Sequence, residues 1–217
     1  VNTEIFDISK KYDIPVIEDA AQGHGGKLGG KKIGSFGDIA TFSFFPSKNM
    51  AVGGDGGAII TTRRGLVEEI TKFVDHGRSS KYINDSLGTN FRLSEIQCAI
   101  GRVQLKYLDS WVERRNEIAS KYNHAFEDLD WVVTPSTRDN GLHAWHQYVL
   151  RVPEREKFQE YMKSKGVSTG IHYPVPCHLQ PIYDYHAQGQ IGSLPVTERI
   201  CKEIVSIPVF PLLSDSE

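Results

Sequence analysis

Cysteine is scarce in this chain. Three are present, Cys98, Cys177 and Cys201, too few and too scattered for a disulfide framework or a zinc site. Cys98 falls inside a helical pattern and reads as a small core residue. The eight histidines lack ligand spacing, which argues against a metal enzyme. No run approaches the ~18 consecutive apolar residues of a membrane span. Charge of one sign is lacking too: the formal net charge is −2, leaving no electrostatic case for nucleic acid or an acidic membrane surface. Residues 1 to 15 read as a charged amphipathic helix and not as a basic, apolar, small-residue leader. Repeats and low-complexity stretches are absent. What remains is an ordinary composition, 39% apolar and 24% charged over 217 residues, enough for one large domain or two small ones. The chain reads as cytoplasmic.

Hydrophobic periodicity supplies the organisation. Ile5, Ile8 and Tyr12 share a face of a helix over residues 1 to 12, which leads into a short buried strand from Ile14 to Glu18. The chain thus opens inside a βα pattern, on Val1, and reads as a piece of a longer protein. Seven glycines between Gly23 and Gly37 predict a loop without regular structure. Strands follow from Ile39 to Phe45 and from Gly57 to Thr62; their continuous apolar runs suit strands covered on both faces. Helices are expected over residues 65 to 75 and, in one long run, 94 to 126, with Ser94 as N-cap and Gln97 in capping-box position. After Trp131 come a loop rich in turn residues, an alternating strand from His146 to Val152, and a helix from Glu154 to Lys165. Gly170 to Tyr173 is extended, a proline-rich stretch runs through Pro181, and a helix near Val196 to Ile204 precedes an extended tail. The expected fold is α/β. Residues 1–125 form part of a large domain with a mostly parallel mixed sheet and a long interdomain helix; residues 126–217 form a small α+β domain.

One constellation carries chemistry. Lys48 ends the apolar, aromatic run Thr41-Phe42-Ser43-Phe44-Phe45-Pro46-Ser47. A lysine beside a buried strand end is costly unless bonded to something. An amine of lowered pKa that condenses with an aldehyde requires such a place. Asp19 closes another apolar run, the carboxylate that a pyridine nitrogen needs if it is to stay protonated. On neighbouring parallel strands both emerge at the carboxyl edge, where open α/β sheets bind ligands. Gln22 can hydrogen-bond a ring hydroxyl, and Ser43 can donate to a phosphate. Alone, each has a bland explanation: Asp19 a helix N-cap, Lys48 a solvated cation, Ser43 a satisfied core hydroxyl, Gly53-Gly54-Asp55-Gly56-Gly57 a turn. Together, in this order, they point to pyridoxal 5'-phosphate.

The segments Glu18-Asp19-Ala20-Ala21-Gln22-Gly23-His24-Gly25, Gly34-Ser35-Phe36-Gly37-Asp38, Phe42 to Asn49, Gly54 to Ala58, Gly88 to Gln97 and Ile171 to His178 carry a resemblance over nearly the whole chain. It resembles the DegT/DnrJ/EryC1/StrS family of pyridoxal-phosphate sugar-nucleotide aminotransferases, of fold type I. The resemblance implies Lys48 as the Schiff-base lysine, Asp19 as pyridinium partner, Gln22 near the ring hydroxyl and Ser43 on the cofactor phosphate. It implies that Asn90 reaches the phosphate from a neighbouring subunit, so that the active site belongs to a homodimer. His172 and Tyr173 would lie close to the sugar nucleotide, while His24 and His178 are structural. The implied reaction moves an amino group from glutamate to an NDP-linked 3- or 4-ketosugar for surface polysaccharide or aminosugar biosynthesis.

Against the family pattern, the large portion ahead of Glu18, with its Gly-Thr/Ser phosphate clamp and stacking aromatic, is absent from the sequence, as is the end of the small domain after Glu217. These residues alone are expected to bind the cofactor poorly and not to transaminate. Two alternatives stay open. A sugar dehydratase of the same fold replaces the lysine with histidine, which Lys48 opposes. A non-catalytic relative kept for dimerisation or regulation gains no support from the Asp19, Gln22 and Lys48 set, but the missing N-terminal portion favours it.

Overall fold

The computed structural model describes residues 3–186 and 192–216. The first two positions of the expected N-terminal helix, and Glu217, lie outside them. The chain forms two compact units, one of residues 1–113 with 138–146 and one of residues 114–137 with 147–217.

In the first unit, helix α1 (Thr3–Tyr12) has Glu4 in its first turn and Lys10 and Lys11 in its last, complementing the helix dipole. Strand β1 is Ile17–Asp19, later than expected. Pro15 has no N–H to give a ladder, and the N–H of Val16 goes to the Asp38 carboxylate at 2.7 Å. The glycine-rich segment is more regular than predicted. Strands β2 (Lys27–Leu28) and β3 (Lys31–Lys32) form an antiparallel hairpin. Its two-residue loop is Gly29-Gly30, both at positive φ, 55° and 78°, as tight hairpin turns require. Strand β4 (Ile39–Ser43) pairs parallel with β1 and antiparallel with β5 (Gly57–Thr61), giving a mixed sheet in the order β1-β4-β5. The expectation of strands covered on both faces fails here. Ile17 and Ile59, on one face of the described sheet, are 66% and 48% exposed, and Ile60, on the other face of the edge strand β5, is 51% exposed.

Helix α2 (Arg64–Val74) leads into an unexpected hairpin of β6 (Arg78–Ser80) and β7 (Ile83–Asn84). The predicted capping box is present at helix α3 (Glu95–Gln104): Ser94 accepts from the Gln97 N–H, and the Gln97 side chain accepts from the Ser94 N–H, both at 3.3 Å. The expected single helix breaks at residues 105–107, where the N–H groups of Lys106 and Tyr107 bond three residues back, and resumes as α4 (Leu108–Ala125). No glycine or proline marks the break. Cys98 is exposed on α3, not in the core, since α3 turns Ile96 and Cys98 outward and Gly101 inward. Met50, Leu108 and Val112 form a buried cluster with Phe44 and Leu142 against it. Strand β8 (Gly141–Leu142) joins β2 from far along the chain.

In the second unit, strand β9 (Tyr148–Arg151) alternates as predicted and pairs antiparallel with β10 (Ile204–Ile207). Tyr148, Leu150 and Val205 are fully buried there. The Tyr148 hydroxyl donates to Asn123 at 2.6 Å, which satisfies its polar end. Helices α5 (Arg155–Ser164), α6 (Pro181–His186) and α7 (Pro195–Glu203) complete the unit; α6 was not expected in the proline-rich stretch. Among the described residues no helix is long and apolar enough to cross a membrane.

Candidate active site

The site grows from the register of two strands. In the parallel β1/β4 pair, Asp19 lies opposite Thr41, so both strands finish at one edge. Alternation along β1 sends neighbouring side chains to opposite faces. Glu18 points inward, where its carboxylate accepts from the N–H groups of Gly34, Phe36 and Gly37 at 2.9, 2.6 and 2.7 Å. Asp19 points the other way and is exposed. Its Oδ1 accepts from the Ala21 N–H at 3.1 Å, and its Oδ2 makes no bond among the described residues. Asp19 shares its exposed face of the edge strand β1 with Ile17. Gln22 is exposed on the same turn.

Beyond Ser43, a turn closed by the Lys48 N–H on the Phe45 carbonyl at 2.9 Å carries the chain to Lys48. The next residue, Asn49, is buried and donates to the Ala144 carbonyl at 2.6 Å. Lys48 is thereby held between a closed turn and a buried anchor. Its half-buried ammonium makes no hydrogen bond or ion pair among the described residues. The Ser43 hydroxyl oxygen accepts from the Phe45 N–H at 3.3 Å, which leaves its proton to donate.

His24 sits beneath this edge, 3% exposed, with its ring 5.1 Å from that of Phe42 and 6.0 Å from that of Phe44. Neither ring nitrogen makes a hydrogen bond of ordinary geometry. Burial, then the Lys48 charge, lowers its pKa to about 4, against the Ser43 carbonyl. The folded state therefore binds fewer protons than the unfolded one between pH about 6.5 and about 4. Stability from this group is complete above that window and is lost as pH falls through it, by up to about 3 kcal/mol. Urea unfolding across this range should show a pH slope in wild type that is reduced in His24→Phe; equal slopes would contradict it.

The other predicted residues lie elsewhere. Asn90 is exposed on the strap after β7, where it bridges Asp75. His172 and Tyr173 belong to the second unit. The His172 Nδ1 meets the Ser206 hydroxyl at 2.8 Å, and Tyr173 stands edge-on to that ring and is 63% exposed. His178 bonds Glu198 at 3.1 Å, and the same carboxylate oxygen accepts from the Leu194 N–H at the start of α7. So β1 and β4 carry Asp19 and Ser43 to the same edge of the sheet, and Gln22 and Lys48 lie on the turns that follow them. The structural role of Glu18 lies outside the sequence expectations, although strand alternation beside Asp19 signals an inward carboxylate.

The sequence profile of the DegT/DnrJ/EryC1/StrS aminotransferase family matches residues 3–217. The chain belongs to this family. It is 43% identical over 210 residues to the dTDP-3-amino-3,6-dideoxy-alpha-D-galactopyranose transaminase of Aneurinibacillus thermoaerophilus, covering 97% of this chain and 57% of that one. It is 42% identical over 212 residues to the pleiotropic regulatory protein of Geobacillus stearothermophilus, again 97% and 57%. The structure of S. venezuelae DesV in complex with a ketimine intermediate superposes with a TM-score of 0.92 at 35% identity, covering 98% of this chain and 57% of that one. The chain thus spans somewhat over half the length of these relatives. Its fold is the α/β, mixed-sheet fold of the DegT/DnrJ/EryC1/StrS aminotransferases.

Proposed function

We propose that the protein containing this chain is a pyridoxal 5'-phosphate-dependent aminotransferase. It takes an amino group from glutamate and delivers it to an NDP-linked ketosugar, working as a homodimer. The observation that carries this reading is the pair of unspent groups at one sheet edge, the Lys48 ammonium and Asp19 Oδ2. These residues fit the cofactor: a free amine for its aldehyde, a free carboxylate oxygen for its ring N–H, and the Ser43 hydroxyl proton for its phosphate. When bound, pyridoxal phosphate supplies an electron sink for an amino-bearing carbon.

The chain's own residues do the rest. Lys48 Nζ would hold the cofactor's aldehyde and, as a free amine, serve as the base that moves a proton at the amino-bearing carbon. Asp19 Oδ2 keeps the ring nitrogen protonated. Gln22 orients the ring hydroxyl, and Asn90 reaches the phosphate from the neighbouring subunit. His172 and Tyr173 face the sugar nucleotide. The transaminase at 43% identity, named for a 3-amino sugar, supports amination at C3, and the ketimine in the DesV structure supports carbon–nitrogen condensation chemistry.

The name of the Geobacillus stearothermophilus relative favours a second reading, a regulatory protein without turnover. The two part in one experiment. The full-length protein with pyridoxal phosphate should show a visible absorbance band that bleaches with glutamate and returns on addition of an NDP-3-ketosugar. A band indifferent to both additions would favour regulation.

A further inference from the structure

Asn90 is held by more than its place in the chain. The strap carrying it lies antiparallel to the end of α2. The Thr89 N–H donates to the Phe73 carbonyl at 2.7 Å, and the Phe91 N–H to the Val74 carbonyl at 3.1 Å. Asp75 and Asn90 form an antiparallel bridge. On this frame Arg92 Nε donates to Asn90 Oδ1 at 3.3 Å, while Arg92 Nη1 meets Asp75 Oδ1 at 2.9 Å. The same aspartate oxygen takes Arg78 Nη2 at 2.5 Å.

A carboxamide offers one accepting oxygen and two N–H donors, and only its side-chain torsion decides which end faces out. An arginine nitrogen can be satisfied by the oxygen alone. Arg92 therefore fixes the amide with Oδ1 toward the guanidinium and leaves Nδ2, a pure donor, unspent among the described residues. Two guanidinium groups against one carboxylate also leave a net positive charge beside it. A donor-only group in a positive field suits an anion.

We infer that Arg92 is a positioning residue: anchored by Asp75, it aims the Asn90 amide so that Nδ2 donates to the cofactor phosphate. This rests on the reading above, in which Asn90 meets that phosphate. The test uses the full-length protein stripped of cofactor and titrated separately with pyridoxal phosphate and with pyridoxal, which lacks the phosphate.

Arg92→Met is expected to raise the pyridoxal phosphate Kd on the order of tenfold and to leave the pyridoxal Kd unchanged. The double variant with Asn90→Ala should bind no worse than Asn90→Ala alone, because the two residues act through one contact. Arg92→Lys keeps the charge but loses the planar fork, so it should behave like Arg92→Met; it carries the comparison if Arg92→Met does not fold. An unchanged preference for the phosphorylated form, or losses that multiply in the double variant, would overturn the positioning role and leave the proposed function standing. If wild type itself gains no affinity from the phosphate, the proposed function fails and the inference with it.

Discussion

Lys48→Ala in the full-length protein is expected to cut amino-transfer turnover by on the order of 10³-fold or more, with little change in stability. Lys48 Nζ is the group proposed both to hold the cofactor and to move the proton, so alanine removes two functions at once. Stability should be spared because that ammonium makes no bond among the described residues, and substitutions of this kind cost within about 0.5 kcal/mol. Lys48→Arg should be as inactive, since a guanidinium stays protonated and cannot condense with an aldehyde. Turnover and a thermal melt, measured together, check this; an active Lys48→Ala would move the chemistry to another residue.

The largest stability effect is expected at Glu18. Its carboxylate gathers three backbone N–H groups, from Gly34, Phe36 and Gly37, and the residue is 9% exposed. Glu18→Ala leaves all three donors without their acceptor and should destabilise by about 3 kcal/mol. Glu18→Gln keeps the shape and one accepting oxygen but points an N–H at a donor, and should fall between. The loss ought also to reach the site, because these bonds fix the 34–37 loop to β1 immediately before Asp19. Denaturant midpoints for the two variants, with cofactor affinity alongside, test both statements. Wild-type stability in Glu18→Ala would mean that water replaces the carboxylate.

Much of this was legible in the sequence, and the misses have identifiable physics. The capping box at Ser94 and Gln97 was readable because its signal is local, three residues apart. The alternation of β9 was readable because one period decides it. The β2/β3 hairpin was missed although Gly29-Gly30 marked its turn, since five neighbouring glycines hid the pattern. Strand β8 could not have been read at all: two residues become a strand only by meeting β2, more than a hundred positions earlier. Apolar runs correctly indicated strands at β4 and β5 but not their antiparallel pairing, because the connection, residues 44–56, is long enough for either a crossover or a return.

At the site, the shared edge of Asp19 and Lys48 followed from strand ends alone. The exposure of Asp19 depends instead on which residues are present to cover its face. The work of Glu18 and Arg92 depends on partners that a linear pattern does not name.

The central claim is that Lys48 is the cofactor's point of attachment. The most direct measurement reduces the full-length protein with borohydride in the presence of pyridoxal phosphate, digests it, and locates the modified peptide by mass. A phosphopyridoxyl group on Lys48, lost when Lys48 is replaced by alanine, is the result expected. Label spread over surface lysines such as Lys10, Lys31 and Lys106, with Lys48 unmodified, would contradict it.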